Sequence, residues 1–380
     1  MMIQSKLSNI GLTIFSAMTN LANESGAINL SQGFPDFDVP PELIERVAAH
    51  MRAGRNQYAP MPGVMELRCA ISEKVQHLYG KTYDPESEIT MTAGATEAVF
   101  SAITACVHPG DEVIIFEPAY DAYLPAILLS GGKPVYVALE YPKYTIDWNR
   151  VRDAITDKTR LLIFNSPHNP TGAVLSTQDL HTLIELIADT RALIVSDEVY
   201  EHIIFDNIRH ESMSRYPELT ERSFVISSFG KTYHATGWKM GYCLAPVGLS
   251  QEFQKVHQYL TFACNTPIQY AFADIMKDAS RYLNLSRFYQ AKRDTFLKLV
   301  EKSRFRALPC RGTYFQMLDF SNITDEADVD FAKRLTIDYG VAAIPPSVFY
   351  HRNTDHQVLR FCFAKKDDTL KEAAERLCRI

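Results

Sequence analysis

The middle of the chain alternates short apolar segments with amphipathic segments that are long enough to be helices. Residues 111–116 (DEVIIF), 160–165 (RLLIFN) and 192–196 (ALIVS) predict buried strands, whereas residues 95–107 and 177–188 predict helices with an apolar stripe. Short apolar strands separated by helices are typical of a mostly parallel sheet that is covered on both faces. The pattern therefore predicts an α/β fold with a three-layer, mostly parallel central sheet.

The pattern changes after about residue 275. Residues 278–303 predict one long, charged amphipathic helix, and the mixed strands and helices that follow predict a smaller α+β domain. We therefore expect two domains. The large α/β domain would span residues 41–275, and the small α+β domain would combine residues 1–40 with residues 276–380.

Composition narrows the class of protein. A chain of 380 residues that is 46% hydrophobic and 22% charged is typical of globular proteins, and its net charge of -6 gives no reason to expect a nucleic-acid partner. No apolar segment approaches the ~20 residues of a membrane span, and residues 1–10 lack the pattern of a secretory signal. The seven cysteines form no C-x-x-C pair, which indicates reduced thiols. We expect a cytoplasmic protein with no metal site and no membrane partner.

Four polar clusters carry the candidate chemistry. Residues 165–172 (NSPHNPTG), 196–200 (SDEVY) and 227–232 (SSFGKT) each follow or end a predicted strand, and residues 236–242 (TGWKMGY) come shortly after. Ligands of open α/β sheets bind beyond the carboxyl ends of the strands. The first three clusters should therefore bring an amide, a carboxylate and an amine into one crevice.

Each cluster also has an ordinary structural explanation. Residues 169–172 could form a simple turn, Asp197 could cap a helix, and Lys231 could be a solvated surface lysine. Each explanation is the commoner one for a single cluster. Together they do not account for four clusters in this order.

The order N-x-P-x-N-P-T-G, D-E-x-Y, S-x-x-K and G-x-[RK]-x-G resembles the class I pyridoxal-phosphate aminotransferases of fold type I. The resemblance begins at residues 30–36 (LSQGFPD) and continues to residues 360–363 (RFCF). Gly230 and Lys239 are similar to the kynurenine/glutamine-transaminase-K branch. Residues 227–242, together with the segment NQYAP near residue 58, look most similar to the bacterial methionine aminotransferases of that branch. The implied fold is the aspartate-aminotransferase-like fold.

The resemblance implies a role for each residue around the cofactor pyridoxal 5′-phosphate. Lys231 would bond the cofactor and then act as the base for the substrate Cα proton. Asp197 would pair with the pyridine nitrogen, while Asn169 and Tyr200 would bind the ring oxygen. Tyr120 would stack on the ring. Lys231, Asp197 and Tyr200 are the expected catalytic residues.

The cofactor phosphate needs fixed donors. Residues 92–97 (TAGATE) predict a strand that turns into a helix, and a helix N-terminus attracts anions, although small residues also begin ordinary helices. By resemblance, Tyr58 would reach the phosphate of a neighbouring subunit, which implies a homodimer with shared active sites. The expected phosphate residues of the chain itself are Gly94, Ala95, Thr96, Ser228 and Lys239.

Arg360 lies in the otherwise apolar segment 358–363. A buried arginine needs a partner, so either a structural ion pair or a ligand carboxylate would explain it. The resemblance implies a clamp on the substrate α-carboxylate. The other residues expected near the substrate are Gly33, Asn169, Tyr123, Phe15, Phe262 and Tyr314.

The substrate side chain is expected to be apolar or aromatic. Residues 1–40 and 251–262, which we expect to line its pocket, contain no arginine for a distal carboxylate. The resemblance thus implies amino transfer from methionine, phenylalanine or tyrosine to a 2-oxo acid in a ping-pong cycle through pyridoxamine phosphate. The wider set of donors would include histidine, glutamine or kynurenine.

Three other functions are alternatives to amino transfer. A carbon–sulfur β-lyase acting on cysteine conjugates stays open, because it begins with the same Cα deprotonation. A regulatory aminotransferase-like domain would need a DNA-binding segment ahead of the α/β body, and none is predicted. A dehydrogenase would need a G-x-G-x-x-G motif after a strand, and the sequence contains none.

Overall fold

A computed structural model describes residues 4–8 and 10–380 of the chain. The strands are β1 (Ile28–Asn29), β2 (Ile89–Thr92), β3 (Glu112–Glu117), β4 (Lys133–Ala138), β5 (Thr159–Asn165), β6 (Leu193–Asp197), β7 (Ser223–Ser228), β8 (Gly241–Leu244), β9 (Arg306–Ala307), β10 (Phe315–Asp319), β11 (Val341–Ala342) and β12 (Val358–Cys362).

The chain also forms fifteen α-helices within the described residues. They are α1 (Ile14–Ser25), α2 (Pro41–Arg52), α3 (Met65–Tyr79), α4 (Ala95–Cys106), α5 (Tyr123–Leu129), α6 (Trp148–Ala154), α7 (Thr177–Ile187), α8 (Pro217–Thr220), α9 (Phe229–Thr232), α10 (Val247–Leu260), α11 (Thr266–Met276), α12 (Ser280–Leu283), α13 (Leu285–Val300), α14 (Asp328–Asp338) and α15 (Asp367–Leu377). Within residues 4–8 and 10–380, no helix is both long and apolar enough to cross a bilayer.

The central sheet has seven strands in the order β2-β8-β7-β6-β5-β3-β4. Strands β3 to β7 pair in parallel, and only β8 runs antiparallel to its two neighbours. The predicted mostly parallel sheet is therefore confirmed. Its register places Asn165 beside Asp197 and Ser228 beside Gly241, so that the polar strand ends meet at one edge.

Apolar layers cover both faces of this sheet. Side chains of α2, α3, α7 and α11 pack against one face, and side chains of α4, α5 and α10 pack against the other. The middle strands are buried on both faces, which is why they read as nearly continuous apolar runs. The three-layer α/β prediction is confirmed.

A third apolar core lies under the antiparallel sheet of order β12-β10-β9 and the short parallel pair β1-β11. It is filled from α1, α13, α14 and α15, together with residues 199–205 that follow β6. Strand β12 carries Arg360, and its neighbour β10 is flanked by Tyr314. The antiparallel sheet β12-β10-β9 therefore brings an arginine and a tyrosine towards the edge of the central sheet.

The single helix predicted over residues 278–303 is wrong, because the chain forms α12 and α13 there. The Asp278 carboxylate accepts hydrogen bonds from the Ser280 backbone N–H (3.1 Å) and hydroxyl, so the first turn begins only at Ser280. At the other end, the Ser303 hydroxyl donates to the Val300 carbonyl oxygen (2.6 Å). Such local side-chain bonds compete with the helical ladder.

Helix α14 offers a test of the third core. Phe331 on this helix is fully buried, whereas Ile337 is 59% exposed. We expect Phe331→Ala to lower the free energy of unfolding by about 3–5 kcal/mol, because it removes a ring and leaves a cavity. The matched control Ile337→Ala should change it by about 0.5 kcal/mol or less. Denaturant unfolding checks both values, and equal effects of the two variants would contradict this packing.

Candidate active site

A cavity of about 280 Å³ opens beyond the carboxyl ends of β5, β6 and β7. It lies between the central sheet and the layer that carries β12, as expected for ligand sites in α/β sheets. Most of the side chains expected at the site line it. Those residues are Phe15, Gly33, Gly94, Ala95, Thr96, Tyr120, Asn169, Asp197, Tyr200, Ser228, Lys231, Lys239 and Arg360.

Lys231 lies on the short helix α9 directly after β7, and its amine is the candidate nucleophile. Its Nζ donates to the Tyr314 hydroxyl (3.0 Å) and to the Gly33 carbonyl oxygen (3.3 Å). Burial of the amine lowers the pKa of Lys231 to about 8, and the nearby cation of Arg360 acts in the same direction. The lysine is therefore a partly buried cavity group and not a solvated surface side chain.

Asp197 is the last residue of β6, and no helix begins there, so it does not act as a helix cap. The carboxylate is nearly fully buried and accepts a hydrogen bond from the Tyr123 hydroxyl (2.6 Å). Burial raises the pKa of Asp197 to about 6, while the Tyr123 hydrogen bond opposes that rise. Asp197 is thus mostly ionised at neutral pH and lies at the floor of the cavity.

Arg360 is fully buried in β12. Its Nη1 donates to the Asn169 Oδ1 (2.8 Å), its Nη2 donates to the Ser31 carbonyl oxygen, and its Nε has no partner. Burial lowers the pKa of Arg360 to about 10, which leaves it charged at neutral pH. Among residues 4–8 and 10–380 no carboxylate lies within ion-pair distance of this guanidinium. The alternative of a structural ion pair is therefore not observed.

Aromatic rings surround the guanidinium of Arg360. Its Cζ lies 3.9 Å from the centre of the Phe315 ring and 5.1 Å from the centre of the Phe15 ring. Rings stabilise a cation through their faces without neutralising its charge. The positive charge is consequently still available to an anion in the cavity.

The opposite end of the cavity is built for an anion. Helix α4 begins at Ala95, and Gly94 before it has φ +81°, a left-handed backbone that glycine adopts without strain. A Cβ at Gly94 would lie only 3.2 Å from the Lys239 Nζ, so the ammonium sits over the start of the helix. Ser228 completes this end. Backbone N–H groups and an ammonium together attract phosphate-like groups.

Tyr200 and Tyr314 face the Lys231 amine, and Tyr200 also lines the cavity, as does Tyr120. The Tyr200 and Tyr314 rings meet edge to face at 5.2 Å, and the Lys231 Nζ lies 5.6 Å from the centre of each. Burial raises the pKa of Tyr200 well above its ordinary value, and burial raises the pKa of Tyr120 to about 12. Both groups can therefore donate a hydrogen bond throughout the physiological pH range.

Four residues expected at the site do not line the cavity. Tyr123 and Tyr314 lie behind it, where they hold Asp197 and Lys231. Tyr58 is 83% exposed and packs edge to face against the exposed Phe262, with ring centres 5.3 Å apart. Residues 251–262 also contribute nothing to the lining, contrary to the expectation for the substrate pocket.

Asn165 is a site residue to which the sequence argument assigned no role. Its Nδ2 donates to the Asp197 carbonyl oxygen (2.9 Å), and its Oδ1 accepts from the Asn169 backbone N–H (2.7 Å). One amide thus joins the ends of β5 and β6 to the loop that holds Arg360. Its place as the last residue of a predicted strand, within the N-x-P-x-N-P-T-G motif, was the available signal.

Comparisons with known proteins agree with this geometry. The family model "Aminotransferase class I and II" matches residues 25–377. The methionine aminotransferase of Escherichia coli is 52% identical over 99% of this chain and 98% of its own length. The probable N-succinyldiaminopimelate aminotransferase of Mycobacterium tuberculosis is 37% identical over 99% of this chain and 98% of its own.

A crystal structure from Escherichia coli, described as having a methionine aminotransferase function, superimposes over the whole of both chains. Its TM-score is 0.98 and its sequence identity is 51%. The family match covers most of the chain, and the similarity extends over its full length. The chain belongs to the class I and II aminotransferases.

Proposed function

We propose that this aminotransferase moves the amino group of an apolar or aromatic L-amino acid, with methionine the first candidate, to a 2-oxo acid in a ping-pong cycle. One observation carries the proposal. A half-buried amine, Lys231, shares a cavity with a fully buried arginine, Arg360, which forms no ion pair with a carboxylate among the described residues. The similarity to methionine aminotransferase supports the choice of donor.

Class I aminotransferases of this fold use pyridoxal phosphate, whose protonated ring withdraws electrons from the substrate when it is bound. The residues of the cavity fit that group. The α4 N-terminus and Lys239 would hold the phosphate, and Lys239 has no carboxylate partner within the part of the chain that the structure describes. Asp197 would hold the ring nitrogen, and Tyr120 would cover one face of the ring.

Lys231 would move the proton. With a pKa near 8, about a tenth of the free amine is neutral at pH 7. Its Nζ can therefore accept the Cα proton of the substrate and later return it. The Tyr314 hydroxyl and the Gly33 carbonyl oxygen, which contact this Nζ, would keep it pointed into the cavity between these steps.

Two further groups would fix the ring. Asp197 keeps its charge because the Tyr123 hydroxyl donates to it, and a carboxylate is the partner that a protonated ring nitrogen requires. Asn169 and Tyr200 line the same cavity as Lys231 and would donate to the ring oxygen. Their positions follow from the ends of β5 and β6.

Arg360 would bind the substrate α-carboxylate. The guanidinium donates hydrogen bonds to neutral oxygen atoms of Asn169 and Ser31, so an incoming carboxylate would be its first ion-pair partner among the groups described here. A planar guanidinium binds a carboxylate through two parallel hydrogen bonds, which also fixes the orientation of Cα. The clamp and Lys231 together would orient the Cα–H bond.

The substrate side chain would lie among aromatic rings. Phe15, Phe34 and Phe315 line the cavity. Among the described residues that line it, Arg360 is the one arginine. A distal carboxylate would find no second arginine there. This supports apolar and aromatic donors over aspartate or glutamate, with histidine, glutamine and kynurenine as wider donors.

We also propose that the chain works as a homodimer. Tyr58 and Phe262 form an exposed aromatic pair, and exposed aromatic surface is typical of protein interfaces. In the dimer Tyr58 would reach the phosphate of the partner's cofactor. A pair of chains would thus complete each site.

Two other expectations remain proposals. The separate apolar core around β10 and β12 supports a small domain of residues 1–40 and 276–380 beside a large domain of residues 41–275. The seven cysteines are free thiols, which supports a reducing compartment such as the cytoplasm.

The reaction itself is tested with a donor panel. Single amino acids are mixed with the cofactor-loaded enzyme, and the absorbance of the half-reaction is followed before any 2-oxo acid is added. Methionine and aromatic donors should react fastest, and aspartate and N-succinyldiaminopimelate slowest. A preference for an acidic donor would contradict the apolar pocket. Pyruvate release from a cysteine conjugate, without amino transfer, would favour the β-lyase.

The pH dependence of cofactor bonding tests the state of Lys231. Because its pKa is lowered to about 8, the neutral amine is the main form above that pH. The rate at which cofactor-free protein bonds pyridoxal phosphate should rise up to pH ~8 and then level off. For a solvated lysine model compound, whose pKa is near 10.4, the same rate should keep rising by about tenfold per pH unit over this range. Stopped-flow absorbance measures both, and a protein rate that still climbs at pH 9–10 would contradict the lowered pKa.

Arg360→Lys tests the carboxylate clamp. The variant keeps a positive charge but loses the planar fork, so kcat/KM for the amino acid should fall by about 10- to 100-fold, the value of one or two charged hydrogen bonds. Arg376→Lys is the control, because Arg376 binds Glu372 and the Gly340 carbonyl oxygen away from the cavity. Equal kcat/KM values in the two variants would refute the clamp.

Tyr58→Phe tests the shared site. Since Tyr58 is 83% exposed within one chain, the variant should leave unfolding unchanged but raise the Kd for the cofactor by about tenfold. Tyr259→Phe, at a site that is 86% exposed, is the control. Analytical ultracentrifugation should find two chains per particle. A fully active monomer would contradict the dimer.

A further inference from the structure

A buried histidine lies behind the anion-binding end of the cavity. His257 on α10 is fully buried, and its Nδ1 faces the Glu97 Oε1 at 3.0 Å. Its Nε2 faces the Met61 carbonyl oxygen at 3.2 Å. Turning the ring over would place carbon atoms at both contacts, so the hydrogen bonds fix its orientation.

The two contacts determine the number of protons. A carbonyl oxygen only accepts, so Nε2 of His257 must carry a hydrogen. A carboxylate oxygen also accepts, so the contact from Nδ1 to Glu97 needs a further proton. The pair therefore holds one proton more than a neutral imidazole and an ionised carboxylate would hold.

That proton belongs to the imidazole. The Glu97 carboxylate also accepts hydrogen bonds from the Ala93 backbone N–H (3.0 Å) and from the Ser101 hydroxyl (2.8 Å). An ionised carboxylate only accepts hydrogen bonds, so its two oxygens can take all three of these contacts as acceptors. His257 is then a buried imidazolium whose charge is matched by Glu97, as a buried charge requires.

This ion pair holds the helix end where the phosphate would bind. Glu97 lies in the first turn of α4, and its second oxygen caps the Ala93 N–H just before Gly94. A lone carboxylate there would repel a phosphate, whereas the pair with His257 has no net charge. The imidazolium therefore lets a carboxylate brace an anion site.

The same histidine holds the segment that carries Tyr58. Its side chain binds the Met61 carbonyl oxygen, and its own carbonyl oxygen accepts from the Phe262 backbone N–H (3.0 Å). Phe262 in turn packs against Tyr58. One residue thus connects the phosphate end of this chain to the aromatic pair expected at the partner.

We propose that His257 is a positioning residue of the reaction and that Glu97 keeps it doubly protonated. His257 would fix the α4 N-terminus and the Tyr58 segment relative to each other. The link to the cofactor phosphate rests on the proposed function. The proton count rests only on the contacts of the imidazole.

The test uses the holoenzyme with ¹⁵N-labelled histidine. The His257 resonances are assigned by their loss in His257→Asn, and we expect both ring nitrogens to be protonated at neutral pH. In Glu97→Gln, which removes the anion, His257 should change to one protonated and one unprotonated nitrogen. An unprotonated Nδ1 in the unsubstituted enzyme would overturn the proposal.

Cofactor binding gives the second measurement. His257→Gln can still reach Met61 but loses the charge next to Glu97, so the Kd for pyridoxal phosphate should rise by about tenfold. His257→Asn should do the same, and His181→Asn on the exposed side of α7 should not. Unchanged Kd values in both His257 variants would also overturn the proposal. If one of the two His257 variants fails to fold, the other variant assigns the His257 resonances. The spectra of the unsubstituted and Glu97→Gln enzymes then decide. An enzyme that shows the doubly protonated His257 but transfers no amino group would refute the proposed function alone.

Discussion

Arg360 is a fully buried positive charge whose hydrogen-bond partners within residues 4–8 and 10–380 are neutral groups. Its hydrogen bonds go to an amide oxygen and a backbone oxygen, and its flat faces lie near Phe315 and Phe15. Burying a charge without an ion-pair partner is costly, and these polar and aromatic contacts offset part of that cost. The remaining attraction is available to an anion in the cavity. Asn169, in the loop after β5, supplies the amide oxygen.

The central sheet positions two other charged groups of the cavity, Asp197 and Lys231. Because β5, β6 and β7 are parallel, their carboxyl ends meet at one edge, and the register sets Asn165 beside Asp197. The chain then leaves β7 directly into α9, which places Lys231 above that edge. The amine and the carboxylate come from different strands, so neither local sequence alone positions them. Their opposite pKa shifts share one cause, which is burial in the same cavity.

The strands and their polar ends were predictable because they depend on local pattern. Short apolar runs mark strands that are buried on both faces, and the motifs after them mark the edge of the sheet. The contacts of Tyr123 and Tyr314 were not predictable in this way. Tyr123 is 74 residues away from its partner in sequence, and Tyr314 is 83 residues away from its partner. The sequence also does not distinguish an aromatic side chain that lines a pocket from one that hydrogen-bonds to a neighbouring side chain. The start of α12 at Ser280 was missed because it depends on the hydrogen bonds of a single polar side chain, Asp278.

The central claim is that the Lys231 amine, held by Tyr314 and Gly33 in the same cavity as Asp197 and Arg360, is the group that bonds the cofactor. The most direct measurement is borohydride reduction of the holoenzyme, followed by digestion and mass spectrometry of the peptides. The account predicts that the added mass lies on Lys231 alone and that Lys231→Ala carries none. Added mass on another lysine, or an unchanged yield in Lys231→Ala, would contradict it.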